Sequence, residues 1–446
     1  MSNQSILRIT RELGEIQRGS DLSLAVACRD IDVRHVRALI IGPPDTPYEF
    51  GFFEFAVKFT KDYPTKAPSV TAITTNGGRT RFNPNIYAAG KVCLSILGTW
   101  RGERGEEWSS AQGLESILIS IQSLMSGNPY ENEPGFEDAN SDYDKKNQEA
   151  YVDKIRHESL RISVIERLEE YLGINRERPG VTVYNAEEDY QASREDAPFE
   201  PFKDLCKRRF LWYYQSYLAR IDEAAKKNKD GDKFEKMPFE GPGNAMEGTF
   251  NYTNLRERLV KVFETLNKEM EAWAAEGMSA VRKEMSIANN LQRQYEQIIE
   301  NYKKQDAITL DLDLVDKNPF VWQLILFGRP MTNLDGGMFR IRLYISPKFP
   351  DVLPRVRFEE PVLYHHRVSP DGILCYDAAR KDDMRSHIEA IIAAIEDESP
   401  AYDPRTLVNP EAAKLFWGTP DDKKMYNRRL RRSAQDSAEM NETVQR

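Results

Sequence analysis

The sequence predicts an α+β chain in which one fold is used twice, with a helical middle region between the copies. Three observations predict it. An amphipathic helix near the start is followed by four short strand-like runs with tight links. Beyond residue 93 the apolar period changes from that of a strand to that of a helix. Residues 42–70 then recur, without a gap, at residues 328–356.

In the first copy, Ser5 is placed to cap the opening helix. Ile6, Ile9, Leu13 and Ile16 fall on one of its faces. The strand-like runs are LSLAVAC, VRALIIG, FFEFAVKF and SVTAIT, bounded by turn residues such as GPPDTPYEFG and KDYPTKAP. Short successive strands with tight links make an antiparallel meander. LESILISIQSLM reads as a helix. So does RISVIERLEEYLG, where Ile162, Ile165, Leu168 and Leu172 share a face and the last glycine ends the run.

From about residue 176 polar residues dominate. RRFLWYYQSYLARIDEAA then reads as a strongly aromatic helix, and KKNKDGDKFEKMPFEGPGNAMEGTF as a polar loop. A helical stretch runs from Asn254 to about Lys304 with an interruption near Gly277. Leu255, Leu259, Val262, Phe263 and Leu266 line one face of its first half.

The internal match pairs Gly42 with Gly328, Pro44 with Pro330, Thr46 with Thr332, Gly51 with Gly337, Phe53 with Phe339, Pro64 with Pro350 and Pro68 with Pro354. A four-residue deletion then brings Gly90 onto Gly372 and Cys93 onto Cys375. Turn and core residues are what one backbone used twice must keep. The expected organisation is a first domain at 1–175, a helical extension and linker at 176–304, a divergent second domain at 305–435 and a polar tail at 436–446.

Composition narrows the partners. A net charge of −9 argues against nucleic acid. Cys28, Cys93, Cys206 and Cys375 form no CxxC pair, and only five histidines are present, so neither a metal site nor a disulfide framework is expected. No cofactor is implied. No apolar run is long enough to span a bilayer, so no membrane is expected. MSNQSILRITRELGE is not a secretion signal, and unpaired thiols suit a reducing compartment, cytoplasm or nucleus. RRLRR near the carboxyl end reads as a solvated helix end rather than a nuclear signal.

The chemistry concentrates in RFNPNIYAAGKVCLSILGTW. Asn85 precedes Cys93 by eight residues, and Gly90 lets the chain turn just before the cysteine. Alone, a cysteine here reads as a small buried hydrophobe and Asn-Pro-Asn as a plain turn. The wider context changes that reading. GPPDTPYEFGFFEF, YPTKAPSV, NPNIYAAGKVCLSIL and WSSAQGLESILISIQSLM resemble the ubiquitin-conjugating enzyme family in order and spacing. RFNPN, KVCLSILGTW, ISIQSLM and NPYENEPGFE are similar to the Z-type members in particular. The likeness continues through FLWYYQSYLARI and FNYTNLRERLVKVFETL, roughly the first 270 residues.

The resemblance implies two conjugating-type domains and a transthiolation. Cys93 takes ubiquitin, or a ubiquitin-like modifier, from an activating enzyme in an ATP-dependent pathway, then yields it to a substrate lysine or a ubiquitin ligase. Asn85 matches the asparagine of the family's His-Pro-Asn motif, and is implied either to stabilise the oxyanion or to hold the loop. Asn83 replaces the motif's histidine. Glu133 stands where the family places an acid near the thiol, with Asn132 as its competitor. Trp100 and Trp108 are expected beside the active-site loop. The insertion RGERGEE separates them, and Ser95 stands where many relatives have aspartate. For ligase docking, Arg8 and Arg11 match basic helix positions, and Thr65, Lys66, Ser110 and Ala111 match the two contacting loops. This reading requires a sulfur that is accessible and close to the asparagine amide.

In the second copy Cys375 follows Gly372 correctly, but the motif reads His365, His366, Arg367, and no tryptophan follows at the expected distance. Arg367 either lowers the thiol's pKa and assists an oxyanion, making Cys375 a second site, or marks a degenerate copy. The degenerate reading is the expectation.

Overall fold

The computed structural model describes residues 3–102, 105–174, 199–242, 246–303 and 310–444. The chain divides into two compact units, Met1–Cys206 with Arg220–Val262, and Lys207–Ala219 with Phe263–Arg446. Among the described residues no helix is long and apolar enough to cross a membrane.

The first unit opens with helix α1 (Asn3–Arg18), followed by strands β1 (Leu24–Arg29), β2 (Asp32–Ile41), β3 (Phe52–Lys58) and β4 (Ser69–Ala72). They form an antiparallel sheet in the order β1-β2-β3-β4, the meander expected. Alternation places Val36, Ala38, Ile40, Phe53, Phe55 and Val57 on one face, packed with Ile9, Leu13 and Ile16 of α1 and Ile117, Leu118 and Ile121 of α2 (Leu114–Leu124). Ile6 is outside this core at 39% exposure. Ser5 is not the cap: it lies inside α1, buried, and its hydroxyl donates to the Tyr63 carbonyl at 2.7 Å.

Behind the sheet runs a continuous helical stretch: α3 (Asp142–Glu158), a π-helical segment (Ser159–Glu166) and α4 (Arg167–Leu172). Ser141 and Asp144 cap its start reciprocally, and Gly173 ends it at φ 66°. Arg167 reaches the second face of the sheet, donating to Glu54 at 2.7 Å and Thr74 at 2.9 Å.

The loop read as polar is an anchored strap. It follows α5 (Lys203–Lys227) and precedes α6 (Tyr252–Arg282). Phe239 packs edge-on to Tyr151 and Phe136 and against Tyr130, while Phe234 and Phe250 flank the His157 ring. Asn251 N–H donates to His157 Nε2, so Nδ1 carries the proton and faces Glu158 at 3.0 Å. Burial alone would raise the Glu158 carboxyl. Hydrogen bonds from Arg161 and His157 outweigh it and hold the group at about 2. A carboxyl that titrates lower when folded stabilises fully above its ordinary value near 4.5, and that contribution disappears as pH falls toward 2. The shift corresponds to about 3 kcal/mol. The urea midpoint of the first unit is therefore expected to drop between pH 5 and pH 3, and Glu158→Gln to flatten that slope; an unchanged slope would count against the assignment.

The second unit repeats the plan. Strands β5 (Leu310–Leu314), β6 (Val321–Phe327), β7 (Met338–Tyr344) and β8 (Arg355–Phe358) form an antiparallel sheet in sequence order. Helix α7 (Ser286–Lys303), grouped by sequence with the middle region, lays Ala288, Leu291 and Ile298 on this sheet's core. Helices α8 (Met384–Glu396), α9 (Pro410–Phe416) and α10 (Pro420–Val444) complete the unit. Residues 436–444, set apart in sequence as a polar tail, continue α10.

The break expected near Gly277 falls instead between Arg282 and Ser286, where Glu284 takes φ 52°. Gly277 stays helical and serves close approach, since a Cβ there would lie 2.5 Å from Phe320. The matched glycines share one cause: a Cβ on Gly42 would meet the Tyr48 carbonyl oxygen at 1.8 Å, and one on Gly328 the Leu334 oxygen at 1.6 Å.

Candidate functional site

Past β4 the chain turns at Asn83–Asn85 and returns to Cys93. Gly90 makes the return at φ 91°, tight against β4, where a Cβ would stand 2.8 Å from the Ala72 oxygen. Bridges from Asn83 to Ile86 and from Ile86 to Val92 close the loop. Asn85 is held three ways. Its N–H donates to Asn83 Oδ1 at 2.9 Å, its carbonyl accepts from the Cys93 N–H at 2.8 Å, and its Nδ2 donates to the Cys93 carbonyl at 3.1 Å. From the other side Thr99 Oγ1 donates to the Val92 carbonyl at 2.6 Å and accepts from Leu94 N–H at 3.0 Å.

The amide is thus beside the cysteine, as the sequence reading required. Accessibility is narrower than that reading required: Cys93 is 3% exposed, within a rim of exposed Lys91, Gly98, Thr99 and Trp100. The physical reason is the double clamp, which draws the cysteine's backbone under its neighbours.

Asn83, fully buried, does structural work. Nδ2 donates to the Leu124 carbonyl at 2.8 Å and to Tyr48 Oη at 3.1 Å, while Oδ1 accepts from Asn85 N–H. A carboxamide offers a donor and an acceptor together, as a neutral imidazole does. The second copy shows the equivalence directly, because His365 Nδ1 accepts from Arg367 N–H at 3.1 Å.

Sequence reasoning missed Arg81, the first residue of the RFNPN motif. Buried, it donates to the Pro84 carbonyl at 2.6 Å and to Glu133 Oε2 at 3.0 Å, with its guanidinium 4.5 Å from the Tyr87 ring centroid. Glu133 is therefore an ion-paired group tied to the Asn85 turn. Asn132, its competitor, turns inward to the Leu124 carbonyl at 2.9 Å. The signal available in sequence was a cation opening an otherwise apolar and amide-rich motif.

Around the thiol's loop, Trp108 donates to the Pro64 carbonyl at 2.8 Å and lies against Tyr63, while Trp100 is 46% exposed. In the insertion, Glu103 and Arg104 lie outside the described residues. Glu106 folds back to accept from Ser95 Oγ at 3.0 Å. A carboxylate is thereby returned to the position where Ser95 replaces aspartate.

Of the six expected ligase-contacting residues, Arg11, Thr65, Lys66, Ser110 and Ala111 are exposed. Arg8 is a tie rather than a solvated arginine. It donates to Glu12 and to the Ser110 and Gln112 carbonyls, each at 2.7 Å, and so fixes α1 to that loop. Buried Glu12 also accepts from Tyr63 Oη at 2.6 Å and from Leu114 N–H at 3.0 Å, the latter at the N-terminus of α2.

In the second copy Cys375 N–H donates to the Arg367 carbonyl at 2.9 Å, repeating the first copy's backbone bond, but no side-chain amide stands at position 367. Burial pushes the Cys375 thiol up to about 12, despite Arg209 and Arg367 pulling the other way. His365 and His366 stack at 4.2 Å, and burial holds them near 3 and 2, so both are neutral at ordinary pH.

Comparison with known proteins agrees with this geometry. The family model described as Ubiquitin-conjugating enzyme matches residues 8–159 and again residues 280–434. The chain is 37% identical over 268 residues to ubiquitin-conjugating enzyme E2 Z of Xenopus tropicalis, covering 60% of this chain and 74% of that protein. Its identity to the Homo sapiens E2 Z is 38% over 270 residues, covering 60% and 66%. Over 120 residues, 26% of this chain and 2% of the other, it is 48% identical to a Homo sapiens dual E2 ubiquitin-conjugating enzyme/E3 ubiquitin-protein ligase. Two matched regions, each holding the same meander and a cysteine after the same glycine turn, place the chain in the ubiquitin-conjugating enzyme family.

Proposed function

We propose that the chain accepts ubiquitin, or a ubiquitin-like modifier, as a thioester on Cys93. The Cys93 thiolate attacks the carbonyl of the modifier's carboxyl-terminal thioester on an activating enzyme, and the donor's thiolate leaves. A substrate amine or a ligase thiol then attacks the new thioester and Cys93 leaves in turn. Aminolysis forms an isopeptide bond and releases one proton. The catalytic region is residues 1–175, and the second copy does not carry a modifier. Ligase contact falls on the exposed Arg11, Thr65, Lys66, Ser110 and Ala111, with Arg8 holding that face together. The working compartment is the cytoplasm or nucleus.

The observation that carries this reading is the reciprocal bonding of Asn85 and Cys93 in a rigid loop. A clamped, narrow site suits a thioester that must outlast water yet yield to a presented nucleophile. Glu133, held by Arg81 at 3.0 Å, is the side chain assigned to orient the incoming lysine and help it lose its proton.

The test is a charging assay with activating enzyme, ATP and a panel of modifiers, run on gels with and without reductant. A reductant-sensitive adduct on the peptide containing Cys93 is the expected result. No adduct with any modifier would instead favour a non-catalytic scaffold that binds a modifier or ligase through two conjugating-type domains.

A further inference from the structure

The aromatic stretch of α5 belongs to the second unit, and it lies across that unit's cysteine loop. Gln215 Nε2 donates to Asp371 Oδ2 at 2.6 Å, four residues before Cys375. Tyr213 Oη donates to the Arg405 carbonyl at 2.9 Å. Between these ties, Arg208, Leu211 and Trp212 face Leu353, Pro354, Ile373, Leu374 and Tyr376 across a cavity of about 20 Å³, room for about one water molecule. Phe210, Leu211, Trp212, Tyr213, Tyr214 and Tyr217 are all buried. A helix apolar on every side is one covered on every side.

The residues beneath have changed to match. In the first copy the surface around the thiol is polar and exposed at Ser69 and Lys91. Their counterparts by the internal alignment are Arg355, 5% exposed with its guanidinium 5.1 Å from the Trp273 ring centroid, and Ile373, 4% exposed. An exposed lysine replaced by a buried isoleucine is the substitution a permanent cover demands. Arg209 is also buried there, 4.0 Å from the Trp212 ring centroid. Its Nε and Nη1 meet no hydrogen-bond partner among the described residues.

We infer that the thiol face of the second copy is a receptor for a helix, and that its occupant is this chain's own Lys207–Ala219 segment, which seals Cys375 permanently. A fold built to present a sulfur has been turned into a socket. The inference rests on the reading that the second copy carries no modifier and supplies the cause. Loss of the asparagine did not silence an open site; the site is filled. The raised thiol agrees, since at pH 8 a thiol near 12 is about one part in ten thousand thiolate.

The test uses the full chain and iodoacetamide at pH 8, with modification at each cysteine followed by peptide mass spectrometry. Cys28, half-buried in the first unit, is the internal reference; fully buried Cys206 reports unfolding of the first unit, and hydrogen exchange of the β6 and β7 amides, required to stay protected, reports that of the second. Cys375 is expected to react at least about 100-fold more slowly than Cys28, given its thiolate fraction. Trp212→Ala is expected to raise the Cys375 rate at least about tenfold while Cys206 stays protected. Should Trp212→Ala unfold the chain, with Cys206 and Cys375 reacting together, Tyr213→Phe combined with Gln215→Ala decides, because it removes only the two ties. Cys375 reacting as fast as Cys28 in the native chain overturns the seal. So does protection unchanged in the folded loosened variants, or a reductant-sensitive adduct on Cys375 in a Cys93→Ala chain. Charging at Cys93 is scored separately, so failure there leaves the socket standing.

Discussion

Replacing Cys93 by alanine is expected to remove the reductant-sensitive adduct altogether, while Cys93→Ser leaves a slow-forming adduct that survives reductant. The two outcomes follow from the nucleophile. Alanine has no atom to acylate. A serine hydroxyl has the right position but a far higher pKa, so attack slows and the product is an ester instead of a thioester. Asn85→Ala then separates the two roles open to that amide. In the resting protein Nδ2 is committed to the Cys93 carbonyl at 3.1 Å, which is a loop clamp. Losing a clamp removes one neutral hydrogen bond, about 1 kcal/mol, and lowers charging and lysine discharge together by roughly tenfold or less. Losing an oxyanion donor instead lowers transfer by about 100- to 1,000-fold. The geometry in hand favours the clamp. A discharge rate down more than 100-fold with charging intact would reverse that assignment.

The sequence made the sheets, the repeat and the cysteine loop legible because each rests on residues whose jobs are local. Gly42 and Gly328 are demanded by a carbonyl six residues on, and Gly90 and Gly372 by the strand they turn against. Such constraints repeat with the backbone and can be read by alignment. What stayed hidden depends on partners distant in sequence. Ser5 looked like a cap because nothing nearby said that Tyr63 would take its hydroxyl. Arg8 was legible only as a docking position, because the Ser110 and Gln112 carbonyls that make it a tie are more than a hundred residues away. Arg81 finds its charge partner in Glu133, 52 residues on. The strap looked polar because its anchoring side chains, Phe234, Phe239, Glu240 and Phe250, are spaced too irregularly for any period. The aromatic helix was legible as a helix, but what it buries itself against was not.

The strap supplies the largest expected effect on stability. Lys154 of α3 is fully buried, and its Nζ donates to Glu240 Oε1 at 2.6 Å and to the Glu235 carbonyl at 2.9 Å. Glu240 Oε2 accepts in turn from Met237 N–H at 3.0 Å. Desolvation pulls the Lys154 pKa down even with Glu240 beside it, so the buried ammonium depends on that carboxylate and on the Glu235 carbonyl. Lys154→Met strands a buried carboxylate and a buried carbonyl, and is expected to cost about 3–5 kcal/mol. Joining it with Glu240→Leu removes the stranded charge, so the double variant is expected to be more stable than the single one, and the two changes far from additive. A chain of two units need not melt in one step, so the reading belongs to hydrogen exchange of α3 amides rather than to a single melting temperature. The consequence reaches the site. Without the ion pair Phe239 is no longer pinned among Tyr130, Phe136 and Tyr151, and these rings carry the loop on which Asn132 and Glu133 stand. Lysine discharge is therefore expected to fall in Lys154→Met and to recover in the double variant. A single variant that loses less than about 1 kcal/mol, within the range of an exposed ion pair, would show that the strap is held by its aromatic side chains alone.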